Sequence, residues 1–189
     1  MSAVFVAGGD PDRRQPIEQA DTGVELAGIG LPSPVLTASG CAAAGRELDA
    51  FFDITELGAI VTKSIMLKPR AGRATPRMSE TPSGMLNSIG LQGPGIDAFI
   101  GNDLAWLNER GARTIVSIAG ETVEEYGRLA AKLRSSGGFD AIEVNISCPN
   151  VADRGQVFAC RAESAAQVVQ TVRRSTDSRI PIFAKLSPD

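Results

Sequence analysis

Residues Ala141-Ile142-Glu143-Val144-Asn145-Ile146-Ser147-Cys148-Pro149-Asn150 run from an apolar strand straight into a cluster of polar side chains. The run from Ala141 to Ile146 predicts a buried strand, and Pro149, which has no N–H to give to a ladder, stops it. Asn145, Ser147, Cys148 and Asn150 therefore crowd around the carboxyl end of one strand, where parallel α/β folds keep their ligands. Two amides and a hydroxyl offer neutral donors and acceptors, and a thiol offers a base or nucleophile. Such a set suits a flat, hydrogen-bonding small molecule.

Working outward, the same unit repeats on both sides. Upstream, Thr114 to Ala119 reads as a strand and Glu121 to Ser135 as a helix with Val123, Tyr126, Leu129, Ala130 and Leu133 on one face. Downstream, a loop from Cys148 to Arg161 leads to a helix over Ala162 to Ser175 and a strand over Ile180 to Leu186 that carries Lys185 near its end. Farther upstream, Ile96 to Arg110 reads as a helix with Trp106 and Leu107 inward. The stretch Gly45 to Leu57 also has helix-spaced apolar residues (Leu48, Phe51, Phe52, Leu57) and leads into a strand over Ala59 to Ser64. Val24 to Ile29 and Pro34 to Ala38 read as short strands joined by a turn at Gly30-Leu31-Pro32-Ser33. Met66 to Gly95 is dense in Pro, Gly and Arg, and its interspersed Met85, Leu86, Ile89 and Leu91 predict a substrate-binding loop folded down onto the body. Residues 1–22 read as a flexible arm and 23–189 as the folded unit.

Strands alternating with helices imply a parallel sheet, and right-handed crossovers place every strand's carboxyl end on one rim. Ser39, Lys63, Asn145, Cys148 and Lys185 all fall there. A closed eight-stranded barrel typically takes ~250 residues, so the expected fold is α/β, either an open sheet or a TIM (β/α)8 barrel truncated after about five β/α units.

Composition narrows the function. Lys plus Arg number 19 against 22 Asp plus Glu, a formal charge of -3, and the basic residues are scattered, which argues against nucleic acid or a membrane surface as partner. No apolar stretch reaches bilayer-spanning length and no signal-peptide core is present, so the expected location is cytoplasmic. Cys41, Cys148 and Cys160 lack paired metal-type spacing, and the chain has no His, so metal ligation, a Cys-His dyad and a Ser-His-Asp triad are not expected within it.

Thr37-Ala38-Ser39-Gly40, Thr62-Lys63-Ser64, Thr75-Pro76-Arg77, Asn87-Ser88-Ile89-Gly90-Leu91 and Asn145-Ile146-Ser147-Cys148-Pro149-Asn150, in that order and spacing, resemble the dihydroorotate dehydrogenases. Cysteine in the last motif is similar to class 1, the soluble enzymes, and Glu80 to Gly95 is similar to the type that uses NAD through a partner subunit. The resemblance implies an FMN-dependent barrel that oxidises dihydroorotate to orotate in pyrimidine biosynthesis. Cys148 matches the base. Ala38, Ser39, Gly40, Lys63, Ser64, Ser117, Asn145 and Lys185 match flavin contacts; Lys63, Asn87, Ile89, Gly90, Leu91, Asn145 and Asn150 match substrate contacts. It also implies an electron-transfer subunit with FAD and an iron-sulfur centre, and a homo- or hetero-oligomer. Ser117 stands where related sequences often carry Asn, Gly93 where Asn is expected, and Arg73-Ala74 where Asn-Pro is usual. The loops that would hold the flavin phosphate are expected beyond Asp189.

Plainer readings stand beside these. A lone cysteine such as Cys148 is commonly a small buried hydrophobe, but Ser147, Pro149 and Asn150 make a poor apolar niche; Cys41 and Cys160 lack such company and read as structural. Lys63 and Lys185 would ordinarily be solvated, yet each follows an apolar run that points it into the rim. Asn87 reads equally as a turn residue, and Arg70, Arg73 and Arg77 equally as solvated. Two other functions remain open: a dihydropyrimidine dehydrogenase-like flavin oxidoreductase of pyrimidine catabolism, or an inactive barrel fragment that binds a complementary chain or nothing.

Overall fold

The computed structural model describes residues 21–147, 152–153 and 156–187. Most of the expected N-terminal arm, Cys148 and Asn150 lie outside the described residues.

The first two strands, β1 (Val24–Leu26) and β2 (Ile29–Leu31), form an antiparallel hairpin that turns at Ala27 and Gly28. The sequence placed that turn later, at residues 30–33. Only Ile29 and Leu31 bury, which is the alternation of a strand with one packed face. Beyond the hairpin the chain extends beside the next strand through a parallel bridge between Leu36 and Ala59.

Between them, the expected helix from Gly45 to Leu57 is replaced by a single turn, α1 (Arg46–Asp49), and a 3-10 turn (Ile54–Glu56) capped by Asp53. Phe51 is 85% exposed. The helical spacing of Phe51 and Phe52 meets no partner surface, and so short a segment gains little from propensity alone. β3 (Ile60–Val61) follows and is fully buried.

The long connection from Met66 to Gly95 divides into base and tip. At the base, Arg70 and Gly93 exchange backbone hydrogen bonds of 2.9 Å in both directions, and Arg73 N–H donates to Ile89 C=O at 3.0 Å. Arg77 ties the two limbs together through its guanidinium, donating to the Ala71 carbonyl at 3.0 Å and to the Gln92 side chain. At the tip, β4 (Met78–Thr81) and β5 (Gly84–Asn87) make an exposed hairpin, with Met85 and Leu86 outward. The connection thus folds down through Leu91, not through Met85 or Leu86.

The chain then runs through α2 (Ile96–Ala98), a π-helical stretch (Phe99–Leu104) and α3 (Ala105–Arg110), with Phe99, Leu104 and Leu107 buried. Arg46 braces this helix from outside: it donates to the Asn102 carbonyl at 2.9 Å, pairs with Asp103 and lies 4.5 Å over the half-buried Trp106 ring. β6 (Thr114–Ile118), α4 (Val123–Ser136) and β7 (Ala141–Asn145) match their sequence-predicted positions within a few residues. β8 (Ala152–Asp153) and β9 (Gln156–Val157) pair antiparallel. α5 (Ala162–Ser175) and β10 (Ile182–Lys185) complete the described chain.

β3, β6, β7 and β10 form one parallel sheet in which spatial order follows chain order. Its two faces bury different partners. Val116, Ile118, Ile142 and Val144 pack outward against Phe99, Tyr126, Leu129, Leu133, Val168 and Val172 of the helices. Val61, Ile115 and Ala141 pack inward with Ile29 and Leu31, so the β1–β2 hairpin closes the inner face at the strands' amino ends. What remains open on that face is the carboxyl rim.

Candidate functional site at the carboxyl rim

Each strand of the parallel sheet carries a polar residue near or just beyond its carboxyl end, and the register sets these side by side on neighbouring strands. Ser117 pairs with Glu143, and Asn145 with Lys185. Ser39 follows the Leu36 segment and Ser64 follows β3. Ser64, Ser117 and Asn145 are buried, Ser39, Lys63 and Lys185 half-buried, and Ala38 and Gly40 exposed.

These side chains form one connected network. Ser39 Oγ lies 3.2 Å from Ser64 Oγ, Ser64 Oγ lies 2.9 Å from Ser117 Oγ, and Asn145 Nδ2 donates to Ser64 Oγ at 2.9 Å. Ser117 Oγ in turn donates to Glu143 Oε1 at 2.7 Å, and Glu143 Oε1 stands 4.0 Å from Lys185 Nζ. Its polarity follows from counting hydrogens. A serine hydroxyl has one hydrogen to give. Ser117 spends its hydrogen on the carboxylate, so it accepts from Ser64, and Ser64 then accepts from both Asn145 and Ser39. Every hydroxyl hydrogen points towards Glu143, leaving Ser39 with lone pairs towards the rim and Asn145 with Oδ1 and one N–H.

Backbone contacts fix the frame. Tyr126 Oη donates to the Asn145 carbonyl at 2.7 Å, and Ser147 Oγ donates to the Lys185 carbonyl at 2.6 Å. Ser117 N–H donates to Thr62 Oγ1 at 3.2 Å, and Lys63 N–H to the Ala43 carbonyl at 2.9 Å. A cleft of about 480 Å³ opens beside Lys63, a size suited to a small molecule. Ile89 and Gln92 from the long connection and Asp103 from the π-helical stretch also line it. Gly90 and Leu91 beside Ile89 are buried and take left-handed backbone, φ +79° and +52°.

The structure thus joins Ser39, Ser64, Ser117 and Asn145 directly, reaches Lys185 through Glu143, and sets Lys63 and Ile89 on one cleft. Asn87 sits on the exposed β5 strand. Sequence reasoning gave Glu143 and Thr62 no role of their own and read Tyr126 only as part of the packed face of its helix. An acid set inside the apolar run Ala141 to Ile146 was the available signal for Glu143. Among the described residues no group of three or more His, Cys, Asp or Glu side chains is placed to hold a metal ion.

The model of the dihydroorotate dehydrogenase family matches residues 22–189. The chain belongs to the dihydroorotate dehydrogenase family. It is similar to the protein named dihydroorotate dehydrogenase B (NAD(+)), catalytic subunit, of Geotalea daltonii, with 50% identity over 169 residues, 89% of this chain and 55% of the relative. Proteins of the same name from Desulforudis audaxviator (49% identity, 89% of this chain, 54% of the relative) and Anoxybacillus flavithermus (44%, 88% and 53%) are similar as well. The chain spans about half the length of the curated relatives it matches. Among the described residues no helix is long and apolar enough to cross a membrane.

Proposed function

We propose that this member of the dihydroorotate dehydrogenase family serves the oxidation of dihydroorotate to orotate in pyrimidine biosynthesis, with FMN on the carboxyl rim. The observation that carries the reading is the connected network of Ser39, Ser64, Asn145 and Ser117, flanked by Lys63 and Lys185. Its donor set fits FMN: neutral hydrogen-bonding groups face a flat ring edged with carbonyls and N–H groups, over an inner face made apolar by Val61 and Ile115. FMN, when bound, supplies the hydride acceptor.

The chain's own groups do the rest. Asn145, Ser39 and Ser64 orient the ring, and Lys185 supplies a fixed ammonium where negative charge builds. Lys63 and Ile89, which line the adjoining cleft, hold the substrate together with the backbone of Gly90 and Leu91, and we assign its remaining contacts to Asn87 and Asn150. Cys148 Sγ takes the substrate proton. A free thiol titrates near ~8.5, so the reaction should run faster in mildly alkaline solution.

Sheet order that follows chain order, with an inner face already packed, supports a closed eight-stranded β/α barrel of which residues 23–189 form the first part. Relatives named as catalytic subunits of an NAD(+) enzyme support a partner subunit that passes electrons to NAD(+); we further propose that this partner carries FAD and an iron-sulfur centre and that the enzyme works in the cytoplasm. The test is optical. Protein purified with FMN should bleach on adding dihydroorotate without oxygen, and Cys148→Ser should slow bleaching at least ~100-fold. Protein that binds FMN but never bleaches would sink the reading.

A further inference from the structure

Glu143 is the one acidic residue in the four strands of the parallel sheet. Its side chain is only 15% exposed. A carboxylate withdrawn from water is costly unless it is paired and hydrogen-bonded. Among the described residues, Glu143 has two neighbours of that kind, the Ser117 hydroxyl at 2.7 Å and the Lys185 ammonium at 4.0 Å. A neutral acceptor would satisfy Ser117. Of these two, Lys185 is the one that makes use of the charge.

We propose that Glu143 is a positioning residue that tethers Lys185 at the rim and sets the polarity of the Ser39–Ser64–Ser117 chain. It does so without reaching the ligand. Lys185 carries a long, flexible stem, and a counter-charge below the rim removes the freedom that would let its ammonium swing into solvent. Ser39 is left as an acceptor towards any ligand, which favours one that brings an N–H or O–H to that side.

Two measurements test this, and only the second rests on the flavin reading. In the first, the chain without added flavin is labelled with acetic anhydride and each lysine is followed by mass spectrometry. Glu143→Gln keeps the volume and the acceptor for Ser117 but removes the charge, so Lys185 should label severalfold faster, while the exposed Lys68 does not change. In the unmodified chain, raising salt from about 0.01 M to about 1 M should accelerate Lys185 selectively, because screening weakens the tether. That arm needs no variant to fold. Equal labelling of Lys185 with and without the charge, or no salt effect, overturns the proposal.

In the second, the midpoint potential of bound FMN is compared in wild type, E143Q, K185M and the double variant. E143Q should favour oxidised over reduced FMN on the order of tenfold, about 30 mV for a two-electron couple, because the released ammonium no longer stands where negative charge builds, and the shift should vanish when Lys185 is Met. A shift that persists without Lys185 overturns the proposal. Failure of the wild type to take up FMN overturns the flavin reading alone, and the labelling still decides the role of Glu143.

Discussion

Gly90 shows how tightly single residues bound the cleft. Its φ of +79° lies in the left-handed region, and a Cβ there would come 2.8 Å from Arg73 N and 2.9 Å from Arg73 Cγ. That backbone N–H donates to the Ile89 carbonyl, so an added methyl strains the turn and displaces the bond closing the loop base. Gly90→Ala should lower unfolding free energy by about 2 kcal/mol in urea titration and weaken any ligand held by Ile89. Asp177 gives a second test at this scale, away from the site. The Arg179 guanidinium, and then its backbone N–H, hold the Asp177 carboxyl down at about 2. A depressed carboxylate contributes stability above its ordinary value near 3.8, and the contribution fades as pH falls towards about 2. An NMR titration should place the Asp177 midpoint there and return it towards the ordinary range in Arg179→Ala.

At the scale of elements, α4 and α5 meet through a gap that only glycine leaves. A Cβ on Gly127 would lie 2.8 Å from Thr171 Cγ2 and 3.3 Å from Ser175 Oγ. Thr171 is short and β-branched and cannot swing away. Gly127→Ala should therefore destabilise by about 1 kcal/mol despite the better helix propensity of alanine. Adding Thr171→Ser, which deletes the obstructing methyl, should restore the loss and uncover the propensity gain as a higher Tm. α4, α5 and the central strands were legible in the sequence because each shows one sharply apolar face or a continuous apolar run. The segment after Gly45 was not: Phe51 and Phe52 imitate a helix period without a surface to bury on. The β4–β5 hairpin also escaped notice, since strands exposed on both sides carry no alternation. Glu143 stood in plain view, but its meaning depends on Ser117 and Lys185, which reach it from neighbouring strands.

Across the whole molecule, stability should grade from the sheet centre outward. β6 and the flanking part of β7 are buried on both faces, and β10 is half-buried. Hydrogen exchange should find the slowest amides in β6 and β7, intermediate ones in β10 and the fastest in the β4–β5 tip. Equal protection of the tip and the sheet would mean that the exposed hairpin is covered in solution.

The sheet's order also bears on how the protein is made. Each strand pairs with one that left the ribosome before it, and the β1–β2 hairpin that underlies the inner face is synthesised ahead of them all. Every newly emerged strand therefore finds its neighbour waiting. The chain can grow its core in the direction of translation, and each pairing closes over one helix and its loops, with no distant partner to await.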